Sequence, residues 1–393
     1  AVAERLLGPD TVAAVRSDQS EAYARRAVTL APNLAQAHAA LGFAAGLTGP
    51  VAEAALRRAI ELDPSDVQSI NWLASIESQH GRLQRVLDLY DKAIEIEPLW
   101  WPVVLNRLSL LLNAGRDNAV SDELARLDRS GSWSLATRAR ASVLTWRGDL
   151  SEALKLELAA HRRAGTDRRE IGVGIGFLLL QLGYFAEAVE FGKPPPFAPD
   201  LWRNDPRGLD MVEKARIAPE FFWRLGPLAE NAGRVYVLSG RGDGLVRWYR
   251  AAANSPEHLL ASVEHRDRFI HLAPLVALAL RQTGDEAEAD RLIIAADEAL
   301  LAQRISVTRR RAYYVNLARI RSVQGRADEA AAALGNAIRQ GWLPDAPAFL
   351  ADLATDPPLA LIKGTAGFKQ ARAHVRAQFA RERAELGPVR LHP

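Results

Sequence analysis

No stretch of this chain alternates apolar and polar residues long enough to make a half-buried strand. Apolar positions recur instead three and four residues apart. The plainest case is near the C-terminus, where Phe368, Ala371, Val375, Phe379 and Leu386 share one face of a predicted helix. Lys369, Arg372, Arg376 and Arg383 fall to the side of that face. The most apolar segment, Ile171 to Phe185, is interrupted by Gly172, Gly174 and Gly176 and reads as a buried helix. The expected class is all-α.

A longer period lies over the helical one. Glycine recurs at Gly49, Gly81, Gly115, Gly148 and Gly183, in steps of 32, 34, 33 and 35 residues. Seven residues before it stands Gly42, Ala74, Ala141 or Gly176, with Leu108 as the exception, and five after it Ala54, Val86, Val120, Ala153 or Ala188. Pro32, Pro64 and Pro98 each precede their glycine by 17 residues. The small residue lets a second helix approach the first. The glycine ends the first helix in a left-handed conformation. The proline marks the exit of the second helix. Gly284 and Gly325 carry the same neighbours and Gly240 the small residue before it, Gly233, at wider steps of 57, 44 and 41, giving eight copies. Longer helices are expected to fill the last two steps, and a proline-rich insertion ("KPPPFAPD") the first.

This pattern resembles the tetratricopeptide repeat (TPR), clearest in Ala37 to Pro64 and Ser69 to Pro98. It departs from that pattern where His38, Ile70 and Val104 replace an aromatic early in the first helix. The resemblance implies an α–α superhelix, a right-handed solenoid whose first helices line the inner side. It puts inward positions four, seven, eleven, fourteen and fifteen residues after each closing proline. A candidate peptide groove then comprises Gln36, Phe43, Gln68, Asn71, Ser75, Ser78, Gln79 and Asn113. Amide side chains offer an extended peptide both donors and acceptors. The Lys and Arg clamp with which chaperone-binding TPR proteins take a C-terminal carboxylate is missing from these positions. Trp100, Trp101 and Trp202 lie near turns or the insertion and are candidate aromatic anchors.

The predicted organisation is a regular array over 1–191, the insertion over 192–218, irregular hairpins over 219–340 and capping helices over 341–393. A capping helix is needed because a solenoid must hide its last apolar face. The tail, with Asp-Pro, a leucine run, glycine and then Phe368, looks like the ends of TPR regions in bacterial regulators. CadC-type transmembrane transcription regulators are among them, which implies a sensing half in the bacterial periplasm; without that link the cytoplasm is the alternative. The chain begins at Ala1 without methionine, so a processed protein or an excised fragment is expected, with an anchor or effector domain upstream.

Composition narrows the chemistry. Net charge is +3, too small for a basic nucleic-acid stripe, so no direct nucleic-acid binding is expected. Cysteine is absent, which removes disulfides, thiolate metal sites and thiol nucleophiles. No apolar run reaches the 18 residues of a membrane span. His258, His265 and His271 are spaced by seven and six; seven helical residues rise about 10.5 Å, too far to share one metal ion. Surface or interface histidines are expected there. "HRD" at 265–267 lacks every companion motif of a kinase. "GVGIG" at 172–176 lacks the strand that a nucleotide fingerprint needs. The arginines at 162–163, 168–169 and 309–311 read as solvated helix ends.

No cofactor, metal or catalytic residue is assigned. The sequence admits three readings. The first is a non-enzymatic scaffold binding a protein or peptide, with a homodimer admitted. The second is a ligand-sensing domain, marked by a cavity of a few hundred Å³. The third is an enzyme on a helical-repeat scaffold, which would need convergent acid–base residues in one cleft.

Overall fold

The computed structural model describes residues 17–47, 49–163, 169–192, 198–214, 227–252, 263–302, 310–344 and 352–387. Among them every regular element is a helix and none is a strand. The chain forms two compact units, and the division at 143/144 falls inside one helix. Residues 1–16 lie outside the described residues.

The N-terminal unit starts with α1 (Ser17–Leu30). Hairpins follow: α2 (Ala35–Ala44) with α3 (Gly49–Leu62), α4 (Val67–Gln79) with α5 (Leu83–Ile96), and α6 (Trp101–Asn113) with α7 (Asp117–Arg129). α8 (Trp133–Arg147) carries the division. The second helices α1, α3 and α5 stop at Leu30, Leu62 and Ile96, each two residues before its proline. From α1 to α7 each helix packs on the next, the connectivity of a hairpin array. Buried Glu77 on α4 ties two hairpins together by accepting from Arg57 of α3 at 2.6 Å and from Arg82 at 3.0 Å.

The C-terminal unit continues with α9 (Leu150–Arg163), α10 (Arg169–Leu182) and α11 (Phe185–Gly192). The insertion contributes two short helices, α12 (Ala198–Trp202) and α13 (Arg207–Lys214). Three hairpins come next: α14 (Pro227–Leu238) with α15 (Gly242–Ala252), α16 (Val263–Gln282) with α17 (Glu286–Ala302), and α18 (Arg310–Val323) with α19 (Ala327–Arg339). At 20 and 17 residues, α16 and α17 supply the longer helices that the wider glycine steps require. A single apolar core runs from Leu201 to Val323. The chain closes with a 3-10 turn (Leu353–Thr355), α20 (Pro357–Ala360) and α21 (Ala366–Leu386).

All eight loop glycines have positive φ, from 66° at Gly115 to 90° at Gly148, so only glycine sits there without strain. The small residue seven earlier also has its reason in packing. A Cβ on Gly42 would lie 2.5 Å from Cγ of Leu56, a fully buried side chain of α3. Gly42→Ala is therefore expected to lower stability by about 1–3 kcal/mol through overpacking. Gly364→Ala, whose Cβ meets nothing, is the control. Urea titration checks both, and equal midpoints would mean that helix spacing at Gly42 is not limiting.

α21 buries Phe368, Ala371, Val375 and Phe379, four of the five residues on the predicted face. It packs on α19 as a cap would, and also on α9 and α10. Glu382, 4 % exposed, lies on the same side and accepts from the backbone N–H of Ser151 at 2.8 Å. Gln378 donates to the carbonyl of Gly148 at 3.2 Å, and the Tyr184 hydroxyl to that of Gly387 at 3.0 Å. Glu382 thereby satisfies one of the N–H groups that a helix start leaves open, here that of α9. The last helix of this unit thus returns to its first full hairpins.

Candidate functional site

Two first-helix faces come into question, one in each unit. In the N-terminal unit the face is built by α2, α4 and α6. Phe43 is 57 % exposed and its ring lies 4.9 Å from that of Trp72, tilted by 30°. Trp72 packs in turn on a small core of Ala52, Leu56, Leu73 and Ile76. The pair makes an apolar platform fixed from below. Gln36 is exposed, and Gln68, Ser75, Ser78 and Asn113 are half-buried. The side chain of Gln79 lies outside the described residues.

Two of the candidate amides already have intramolecular bonds. Asn71 is only 7 % exposed and accepts from Asn106 Nδ2 at 3.0 Å, because Asn106 on α6 faces it one hairpin later. Asn113 donates to the Ser109 carbonyl of its own helix at 2.7 Å. Open amides on this face are thus Gln36 and Gln68; Asn106, which the inward spacing passes over by one position, is exposed but already donates to Asn71.

The tryptophans divide. Trp100 and Trp101 at the start of α6 are half-buried, and the Arg138 guanidinium lies 3.3 Å from the Trp101 ring centroid. That cation–π contact covers one ring face. Trp202 departs from the expectation of an exposed anchor. It is 8 % exposed at the end of α12, because the insertion folds against α13 and α14 and does not project outward.

In the C-terminal unit the equivalent face carries charge. The inward positions of the regular repeats lie thirteen, ten and six residues before the loop glycine. Counted back from Gly240, Gly284 and Gly325, these positions hold Glu230, Arg234, His271 and Arg319. Arg319 Nη2 donates to Glu230 Oε1 at 2.8 Å, and its Nε to Asp356 Oδ2 at 2.8 Å. Arg234 donates to Asn231 at 2.6 Å and to Asn204 at 2.9 Å. The His271 ring places Nε2 2.6 Å from Glu230 Oε2 and Nδ1 2.9 Å from Asn316 Oδ1. Both ring nitrogens therefore face acceptors, the arrangement of an imidazolium. With Leu275 and Pro357 these groups enclose a cavity of about 10 Å³, the room of one water molecule.

The electrostatics follow from burial and pairing. Burial pushes the Glu230 carboxyl up, but His271, Arg319 and Arg234 outweigh it and hold it well below the usual carboxylate range. Burial brings Arg234 down to about 10. For His271 burial acts downward, and the charge and hydrogen bond of Glu230 outweigh it, so its pKa is raised above 6.5. A raised histidine pKa stabilises the fold fully below pH 6.5 and loses that contribution as pH rises through the folded value. The groups facing this ring are Glu230 and Arg234 of α14, Asn316 and Arg319 of α18, and Asp356. From about pH 6 to about pH 9 the melting temperature of the wild type should fall relative to that of His271→Gln. Parallel curves would show that the ring is neutral throughout. On the acid side the Glu230 contribution is present above 4.5 and is lost only far below it.

Sequence reading missed this cluster, although the offsets applied to Phe43 and Asn71 lead to it when carried to the later glycines. Of the three histidines, His271 is half-buried and pairs with Glu230. His258, and the side chain of His265, lie outside the described residues. No group of three metal-ligating side chains occurs among the described residues. Arg311 also departs from a solvated helix end: it lies 3.6 Å over the Trp146 ring, donates to the Trp146 carbonyl at 2.9 Å, and burial brings its pKa to about 10.

No family model matches this chain, and no curated protein matches it. Among solved structures, one similar fold is a tetratricopeptide repeat protein from Parabacteroides merdae, at 15% identity over 79% of this chain and 91% of that one, with a TM-score of 0.21. Another is yeast Tom70, at 13% identity over 86% and 83%, with a TM-score of 0.28. The TPR-type architecture rests on the chain's own glycine-hinged helical hairpins, not on superposition.

Proposed function

We propose that this chain is a non-enzymatic scaffold that holds an extended protein segment along the first-helix face of its N-terminal unit. The observation that carries the reading is the Phe43–Trp72 platform, with Phe43 57 % exposed, on two helices that also carry Gln36 and Gln68. An exposed aromatic braced by a second ring is the kind of group that dominates interface energetics. Amides beside it suit a peptide backbone.

The charged cluster of the C-terminal unit does not favour an enzyme. Both nitrogens of His271 are engaged, Glu230 is held ionised, and the cavity takes about one water and no substrate. For a metabolite sensor the same cavity falls short of the several hundred Å³ that a small-molecule site occupies. A place in a larger bacterial regulatory or envelope protein is supported by the tail pattern from Asp356 to Phe368.

The test is selection of extended peptides from a display library on the full chain. Enriched peptides should lose at least about tenfold in affinity on Phe43→Ala and more when Trp72→Ala is added. No enrichment, or affinities indifferent to both substitutions, would overturn the reading.

A further inference from the structure

The first-helix face of the C-terminal unit is already occupied, and by the chain itself. α20 packs on α14, α16 and α18, the first helices of three successive hairpins. Asp356, 2 % exposed, reaches Arg319 with one carboxylate oxygen and caps α20 with the other, accepting from the Leu359 N–H at 3.2 Å. Leu353, Leu359 and Ile362 are buried to 2 % exposure or less around it. Without this segment the face would hold Arg234, Arg319 and protonated His271 against Glu230 alone, an excess of positive charge. Asp356 removes part of that excess, and its neighbours cover the apolar floor. The arrangement is that of a peptide in a groove, with residues 352–362 as the peptide.

We infer that this face is a recognition groove for a segment with an acidic side chain followed by prolines and leucine, closed in cis by residues 352–362 and opened to a partner segment of the same chemistry. The inference concerns the C-terminal unit and stands apart from the platform of Phe43 and Trp72. The acid is read by Arg319, whose planar fork takes Asp356 on Nε and Glu230 on Nη2. The prolines open the short helix α20, where their fixed φ suits the first turn, and so hold Asp356 at its N-cap. Because the cis segment competes, the apparent affinity for a partner is lowered by the fraction of time that the groove is shut.

The probe is a fluorescent peptide with the sequence of residues 352–362, added to the full chain. Asp356→Ala should bind it at least about tenfold more tightly than the wild type, since the cis competitor has lost its anchor. A control peptide with lysine in place of the second aspartate should not bind, and Arg319→Ala added to Asp356→Ala should abolish binding. A folded Asp356→Ala that binds no better than wild type, or binds the control equally, overturns the inference. So does a concentration-dependent dimer that takes up no peptide, which would assign the groove to a second copy. If Asp356→Ala does not fold, hydrogen exchange on the wild type decides. The amides of Leu359 to Ile362 should exchange through an opening that leaves α16 and α18 protected, and faster with excess peptide. Exchange of these amides only together with α16 and α18 makes the segment fixed core and the inference wrong.

Discussion

Arg319→Ala should cost the C-terminal unit about 3–5 kcal/mol, because it leaves two buried carboxylates without their shared cation. The Arg319 side chain is 6 % exposed, that of Glu230 11 % and that of Asp356 3 %. The loss has little to do with the net worth of the ion pairs. Taking these charges out of water is already costly, and the pairing offsets that cost only while all partners are present. Arg319→Lys should recover only part of the loss, since an ammonium cannot take two carboxylates on separate edges of a planar fork. Thermal and urea unfolding of the full chain provide the measurement, with tryptophan fluorescence and helix content followed together. An Arg319→Ala transition within about 1 kcal/mol of wild type would show that water reaches the cluster and that it is not buried in solution.

Phe379→Ala should be of similar size, about 3–5 kcal/mol. This ring is fully buried in the middle of α21, between residues that pack on α19 and residues that reach α9. Removing it deletes contacts on both sides of the helix at once and leaves a cavity that neither side can refill alone. The same experiment reads it, and limited proteolysis adds a local test. Cleavage within α21 should appear in the variant under conditions where the wild-type helix is intact. If stability drops without new cleavage there, the cost is spread through the unit and α21 is not the element that loosens.

Much of this architecture was legible in the chain. The glycine period gave every hairpin, because a left-handed helix stop leaves few alternatives to glycine, and the three prolines gave the second-helix ends. The apolar face of α21 was legible from its spacing, apart from Glu382, which reads as polar and is buried because it meets the open N–H groups of α9. What the sequence hides is long-range partnership. Nothing local says that Asp356 faces Arg319, or that Asn71 spends its carbonyl on Asn106. Trp202 illustrates the same limit: proline-rich surroundings suggested exposure, and packing on α14 decided otherwise. The charged groove lay within reach, since the inward offsets are periodic, but the wider steps around Gly240 and Gly284 conceal the register.

The docking of α21 on α9 sets a limit on how this protein can change over generations. An open array of hairpins tolerates the gain or loss of a repeat, because each unit meets only its neighbours and the ends are free. Here the number of hairpins between α9 and α19 is set by the requirement that the final helix arrive with Glu382 opposite Ser151. A duplication inside that interval would displace the contact by a whole hairpin, whereas one among α2 to α7 would leave it untouched. Variation in repeat number should therefore be confined to the N-terminal half, the half that presents the exposed aromatic platform.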